Sequence, residues 1–334
     1  MNIAIPVRFV DAAPQLVPIL RNRWDVEASN LRIEILSLRQ PEHINWQESC
    51  IPSKPVADEL ALVLCYDLPN ARLFINYSHL KSWGVDFETA FSVARSNLES
   101  RQPAPFTEVA ERGYVNQNAD ATLAARLLTP GTIAALRLQG TPVFAYLDSE
   151  HFYVTDLRSM DGLERMFGWM DQALENADNP AFLTPFVIDG ASVRPLRAND
   201  IPEKLAKAKM RWRQLQLKFA KQRYDEQQKI LGYLFDLRGW DYSVADTTLI
   251  ARGNVDLLGC HLTPGKNVLL PKTETVFVDG FLSLPFAMLL ECFGHKLSLM
   301  EDSYPPRYLV TEQLSGADID YLRRRFLGGT SSAA

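Results

Sequence analysis

Long apolar runs are missing from this chain, and with them any expectation of a membrane-crossing helix. The two longest, residues 60–65 and 282–290, fall well short of the roughly 18 residues needed to span a bilayer. Residues 1–10 carry one Arg and one Pro but no sustained apolar core and no small-residue cleavage site, so they do not read as a secretory signal. A cytoplasmic location is expected. The four cysteines, Cys50, Cys65, Cys260 and Cys292, form no CxxC pair, and the five histidines do not fall at zinc-site spacings. Cys65 and Cys260 lie in strand-like apolar runs where a thiol serves as a small hydrophobe, so reduced, structural cysteines and no metal site are expected. The 17 glycines are scattered, mostly as turn residues. They form no glycine-rich loop with backbone N–H groups free to face a phosphate, and no cofactor is called for.

What is present is a chain long enough for two hydrophobic cores. At 47% hydrophobic and 22% charged residues it has the composition of a folded globular protein. The net charge of −5 is unevenly spread: residues 1–200 hold 17 basic and 25 acidic groups, residues 201–238 hold 10 and 4, and residues 239–334 hold 8 and 11. A basic helical stretch, residues 202–237, thus separates two acidic segments.

Residues 1–58 are punctuated by proline, with one alternating run, 31–36, that suits a strand. Near-continuous apolar character predicts a buried strand over residues 59–66, and residues 72–77 predict a second, joined by a turn at 67–70. Asp86 stands as an N-cap before Phe87, Ala90, Phe91, Ala94 and Leu98, whose spacing lines one helical face. Shorter helices are predicted over 121–128 and 130–138, strands over 142–148 and 151–156, and a helix on the face Leu163, Met166, Phe167, Met170 and Leu174. Asp189-Gly190 predicts a hairpin. Beyond the long helix, strands over 247–252, 255–262, 268–270 and 275–278 predict a small antiparallel meander, followed by a helix over 285–293, a strand over 296–300 and a helix over 317–326. The expected fold is α+β (mixed α/β): a loosely structured segment 1–58, a domain over 59–200, the helix 201–238, a small α+β domain over 239–327 and a disordered tail 328–334.

Blocks in residues 59–196, about two fifths of the chain, resemble the uncharacterised YtpQ-like family of bacterial proteins. They are Val63-Leu64-Cys65-Tyr66-Asp67 before Leu73-Phe74-Ile75; Leu80 with Trp83-Gly84-Val85, Ala94 and Asn97-Leu98; Ala124-Ala125-Arg126-Leu127-Leu128; Thr141-Pro142-Val143-Phe144-Ala145 before Phe152-Tyr153-Val154-Thr155; and Leu183-Thr184-Pro185. The resemblance implies a mixed α/β bacterial cytoplasmic module and no reaction.

Several residue sets bear on chemistry. Asp148, Ser149, Glu150 and His151 have suitable types but are contiguous in a turn, where side chains diverge. Cys260-His261 looks like a nucleophile and its base, yet neighbours on a strand point to opposite faces. His261, Glu274, His295 and Asp302 could meet a metal only through tertiary folding, while Asp67 and Asp279-Gly280 sit at strand ends. In the long helix, Leu205, Ala208, Trp212, Leu215 and Phe219 alternate three and four apart as a coiled-coil-like seam within a dense set of Lys and Arg. Lys207, Arg211, Trp212, Leu215, Lys218 and Phe219 are therefore the expected partner-binding residues.

The leading expectation is a non-catalytic protein-binding module, an adaptor, assembly component or immunity-type protein. Its partner would be another protein with an acidic or apolar surface, or a second copy. Two alternatives stand beside it: an enzyme with its site at strand ends between the two α/β halves, and nucleic-acid binding through residues 202–223, which the acidic chain as a whole disfavours.

Overall fold

A computed structural model describes residues 4–68, 71–101, 105–116, 122–127, 130–146, 151–176, 184–190, 192–252, 255–264, 267–301 and 303–329. The fold is mixed α+β, and the chain divides into two compact units, residues 1–213 and 214–334.

The first unit holds two sheets. Strands β1 (Leu16–Asn22), β2 (Ser53–Ala57), β3 (Leu60–Leu68) and β4 (Ala71–Phe74) form one, with β3 antiparallel to the other three. Burial of β3 on both faces accounts for its continuous apolar run. Leu64 packs with Leu80, Ala90 and Ala94 on one side, while Val63 and Cys65 pack with Val17, Ile19 and Val26 on the other. The helix Phe87–Ser100 begins where expected, Asp86 Oδ1 accepting the Thr89 N–H at 2.7 Å. Strands β5 (Phe106–Ala110), β6 (Gly113–Asn116), β7 (Pro142–Tyr146), β8 (Phe152–Asp156), β9 (Phe186–Asp189) and β10 (Ser192–Pro195) form the second sheet, in the order β10-β9-β7-β8-β6-β5. Phe144, Phe152, Val154 and Phe186 from this sheet share a core with Leu20, Leu60 and Leu62 of the first.

Two predictions in this unit are corrected. Residues 31–36 are not a strand but lie inside the helix Arg23–Arg39, which Asn22 caps by accepting the Trp24 N–H at 2.8 Å. A six-residue alternation built from good helix formers does not interrupt a helix already nucleated and capped upstream. The segment 1–58 accordingly contributes β1, β2 and this helix instead of a single strand. The strand expected over 72–77 ends at Phe74, because Asn76 and His79 form a reciprocal cap: Asn76 Oδ1 accepts from His79 N at 3.1 Å and His79 Nδ1 accepts from Asn76 N at 3.2 Å.

In the second unit run β11 (Ser243–Val244), β12 (Thr247–Arg252), β13 (Val255–Leu262), β14 (Val268–Pro271), β15 (Thr275–Val278), β16 (Leu282–Pro285), β17 (Leu297–Leu299) and β18 (Arg307–Val310). They do not form a simple meander. The sheet orders are β12-β13-β15-β16 and β11-β14-β18-β17. Strand β14 leaves β13 for the other sheet, and β15 returns parallel to β13, pairing Cys260 with Val276. One core then takes Cys260, Val276 and Leu284 from the first sheet and Leu270 and Val310 from the second, with Leu289 and Leu322 from the helices Phe286–Phe293 and Gly316–Gly329.

Arg307 lies at the centre of this unit with none of its surface exposed. Its guanidinium donates to Gln227 Oε1 at 2.6 Å, Tyr224 O at 3.0 Å, Ala245 O at 2.9 Å and Leu269 O at 3.3 Å, and it lies 5.2 Å from the Tyr224 ring centroid. All four acceptors are uncharged. Burial lowers its pKa to about 10, so the group still carries its charge at neutral pH. Gln227 in turn donates to Ser303 Oγ at 2.9 Å and Pro305 O at 3.0 Å, and the Tyr224 hydroxyl donates to Lys272 O and Pro306 O.

Truncation by Arg307→Ala removes these buried hydrogen bonds and is expected to cost about 3–5 kcal/mol in denaturant unfolding. Arg325→Ala, at an exposed pair with Glu291, should cost less than about 1 kcal/mol in the same measurement.

Candidate functional site

The long helix, Ala206–Arg238, carries all six residues expected to meet a partner, and the structure separates them. Trp212 is 2% exposed and Phe219 7%, while Leu215 is half-buried. The apolar seam is thus turned into the protein, and the expectation that Trp212 and Phe219 present a docking face is corrected. Lys207 and Lys218 are exposed; the Arg211 side chain lies outside the described residues. Met210, 54% exposed, falls between the two lysines at three- and four-residue steps with Gln214, so this face of the helix is basic rather than apolar.

The seam does not stop where it ceases to be apolar. Gln222 is exposed and Glu226 only half-buried, but Tyr224 and Gln227 continue the buried face between Leu217 and Leu231. Their polar atoms are satisfied by the Arg307 network, which removes the penalty for burying them.

Exposed apolar surface appears instead where the helix ends. Gly239 adopts a left-handed conformation (φ 65°) and Trp240 N donates to Phe235 O at 3.0 Å, closing the helix and turning the chain. Trp240 and Tyr242 then flank the buried Phe235 ring at 5.5 and 6.1 Å, yet remain 47% and 40% exposed, and the Arg238 guanidinium lies 4.6 Å from the Trp240 ring centroid. The sequence offers a signal for this patch: Arg-Gly-Trp-Asp-Tyr after a helix places two aromatics in a polar setting with no burial periodicity.

The other chemical candidates do not come together. Cys260 is fully buried on β13, while His261 beside it is exposed and stacks on Phe277 at 4.9 Å. Asp67 pairs with Arg101 at 2.6 Å and Arg72 at 3.3 Å. Asp156 is buried, accepting from Arg158 N at 2.7 Å and Gln139 N at 3.0 Å, with Arg112 Nε at 3.5 Å. Asp279 and Gly280, both at positive φ, make the β15–β16 turn. Asp148, Ser149, Glu150 and Asp302 lie outside the described residues. Among those described, no group of three or more His, Cys, Asp or Glu could hold a metal ion, and no helix is long and apolar enough to cross a membrane.

The first unit contains a cavity of about 670 Å³ at the β5–β6 end of its second sheet. Pairing of Glu108 with Tyr114 and of Phe106 with Asn116 puts Phe106, Glu108 and Tyr114 on one face. Leu98, Arg126 and Leu136 complete the walls, and the exposed Arg137 stands among its lining residues. Arg126 is 5% exposed and donates through Nη1 to Arg101 O at 2.7 Å. A second cavity, of about 500 Å³, is lined in part by Lys54, Phe91 and Arg95. Asp67, His151, Asp156 and Asp279 line neither. No local pattern marks the first cavity, whose residues come from five elements and their flanks spread between residues 98 and 137.

No protein-family model, curated protein or solved structure matches this chain.

The thiols are poorly suited to nucleophilic work. Burial pushes Cys65 and Cys260 up to about 12 and Cys50 to about 11, so almost no thiolate forms at neutral pH. A thiol-specific reagent at pH 8 is expected to label only the half-buried Cys292 in the native protein and all four cysteines after denaturation, as read by mass spectrometry.

Proposed function

We propose that this protein is a protein-binding module, and that its second unit docks a partner through Arg238, Trp240 and Tyr242. The observation that carries the reading is the exposure of Trp240 and Tyr242 beside a stacked guanidinium. Trp, Tyr and Arg dominate the binding energy of protein interfaces, because large rigid rings bury much apolar area while a guanidinium bonds carboxylates at the rim. Residues held in place before binding also lose little entropy on binding, and both rings are already ordered around Phe235. Exposed Lys207 and Lys218, on a helix with ten basic and four acidic residues between 201 and 238, favour a partner with an acidic surface. They would act by steering the encounter and not by apolar contact. The same reading takes the protein to be bacterial and cytoplasmic, in keeping with its YtpQ-like blocks and its free cysteines.

Trp240→Ala with Tyr242→Ala removes only exposed rings and is expected to leave folding intact while weakening partner binding about 30-fold or more, equivalent to about 2 kcal/mol. Lys218→Glu should slow association by several-fold at low salt and have little effect at high salt. Both are checked by kinetic titration against proteins captured with the wild type from cells of its source. Equal capture by wild type and the double-alanine variant, or capture abolished by nuclease, would overturn the reading.

A further inference from the structure

We propose that His79 is an acid-sensitive latch: neutral, it holds residues 4–12 against the rest of the first unit, and protonated, it releases them. This device is independent of the docking surface on the second unit. It is built on the helix Tyr77–Trp83. His79 Nδ1 accepts the Asn76 N–H at 3.2 Å, so in the folded protein Nδ1 carries no proton. The His79 ring lies 6.0 Å from the ring of Trp83, one helical turn on and on the same face. Trp83 Nε1 donates in turn to Pro6 O at 2.9 Å, and its ring lies 5.6 Å from that of Phe9. Among the described residues this is the one hydrogen bond that ties residues 4–12 to the rest of the unit. Ile5, Phe9 and Ala12 add apolar contact with a cluster that includes Leu80, Trp83 and Ala90, whereas Val7 and Val10 are 79% and 68% exposed. The segment is thus fastened mainly through Trp83, and Trp83 is braced by His79.

Protonation works against this arrangement. An imidazolium donates from both nitrogens, so Nδ1 and the Asn76 N–H become two opposed donors and the ring must turn away. A cation in the first turn also opposes the helix dipole, in a helix only seven residues long. Attraction between the imidazolium and the Trp83 ring favours the charged form, but at 6.0 Å it lies at the outer limit of a cation–π contact. Burial lowers the His79 pKa below its ordinary value. With the native value below the unfolded one of about 6.5, the stability contributed by the neutral ring is complete above that pH and is lost as pH falls through the native value. Charged groups on the surrounding elements are already engaged. Lys81 pairs with Glu48 of the helix Trp46–Ser49, Arg8 with Asp11, Lys54 with Glu88 and Arg95 with Glu99, while Asp86 caps the helix Phe87–Ser100. Cys50, whose carbonyl accepts the Tyr77 N–H, and Tyr77 itself are the other titratable neighbours, and thiols and phenols stay neutral in this range.

The test follows the indole N–H groups of the full chain by NMR after labelling its six tryptophans with nitrogen-15. Solvent exchange is compared at about pH 7.5 and about pH 5, with each rate corrected for the intrinsic effect of pH. The Trp83 indole is expected to lose protection about fivefold or more at the lower pH, which is the scale of one hydrogen bond. Trp24, 3% exposed elsewhere in the same unit, should not change. His79→Gln places a neutral acceptor at the same cap position, the usual partner of a reciprocal cap, so Trp83 should stay protected at both pH values. His79→Lys places a permanent cation there with no acceptor, so Trp83 should already exchange faster at about pH 7.5 while Trp24 stays protected. The proposal is overturned if Trp83 in the wild type exchanges equally at the two pH values, if Trp24 opens with it, or if His79→Gln loses protection in acid as the wild type does.

Discussion

A single buried positive charge, hydrogen-bonded to uncharged oxygens, organises the second unit. Arg307 is enclosed by one side-chain amide oxygen and three backbone carbonyls, and each must stay in place for the charge to be tolerated away from water. Those acceptors belong to the long helix, to Ala245 and to β14, while Arg307 itself begins β18. Helix and sheet are thereby bound by one set of donors with a fixed fork geometry. Tyr224 and Gln227 extend the arrangement to residues 272 and 303–306. An apolar residue at 307 could fill the space but would give up all four of these bonds.

The first unit rests on a different constraint. Strand β3 is covered on both faces, and the core on the β7–β8–β9 side is aromatic and closely packed. Toward β5 and β6 the packing opens into the arginine-lined cavity. The second unit exposes two aromatics, Trp240 and Tyr242, beside Arg238 at a helix end.

Most helices and many strands were legible in the sequence where a local cap or an uninterrupted apolar run specified them. Asp86 and the helix it starts, β3, and the hairpin at Asp189-Gly190 all follow from interactions a few residues apart. The run 31–36 misled because period-two spacing over six residues is also compatible with a helix begun elsewhere. Strands β11 and β18 carry too little pattern to announce themselves: one is two residues long, and the other buries an arginine. The helix seam was legible as apolar spacing, but the same spacing serves a partner or the protein's own interior. Only burial of Trp212 and Phe219 distinguishes the two.

By itself, then, the amino-acid sequence determined the mixed α+β class, the long basic helix and the caps and turns that bound several elements, since each depends on contacts within a few residues. Tertiary structure alone decided that β14 and β15 part into different sheets, that Tyr224 and Gln227 are buried polar residues, and that Phe106, Tyr114, Arg126 and Arg137 line one cavity. These are non-local outcomes. A side chain's period along the chain sets which residues share a face, but what that face meets depends on partners tens of residues away, for which the local pattern holds no signal.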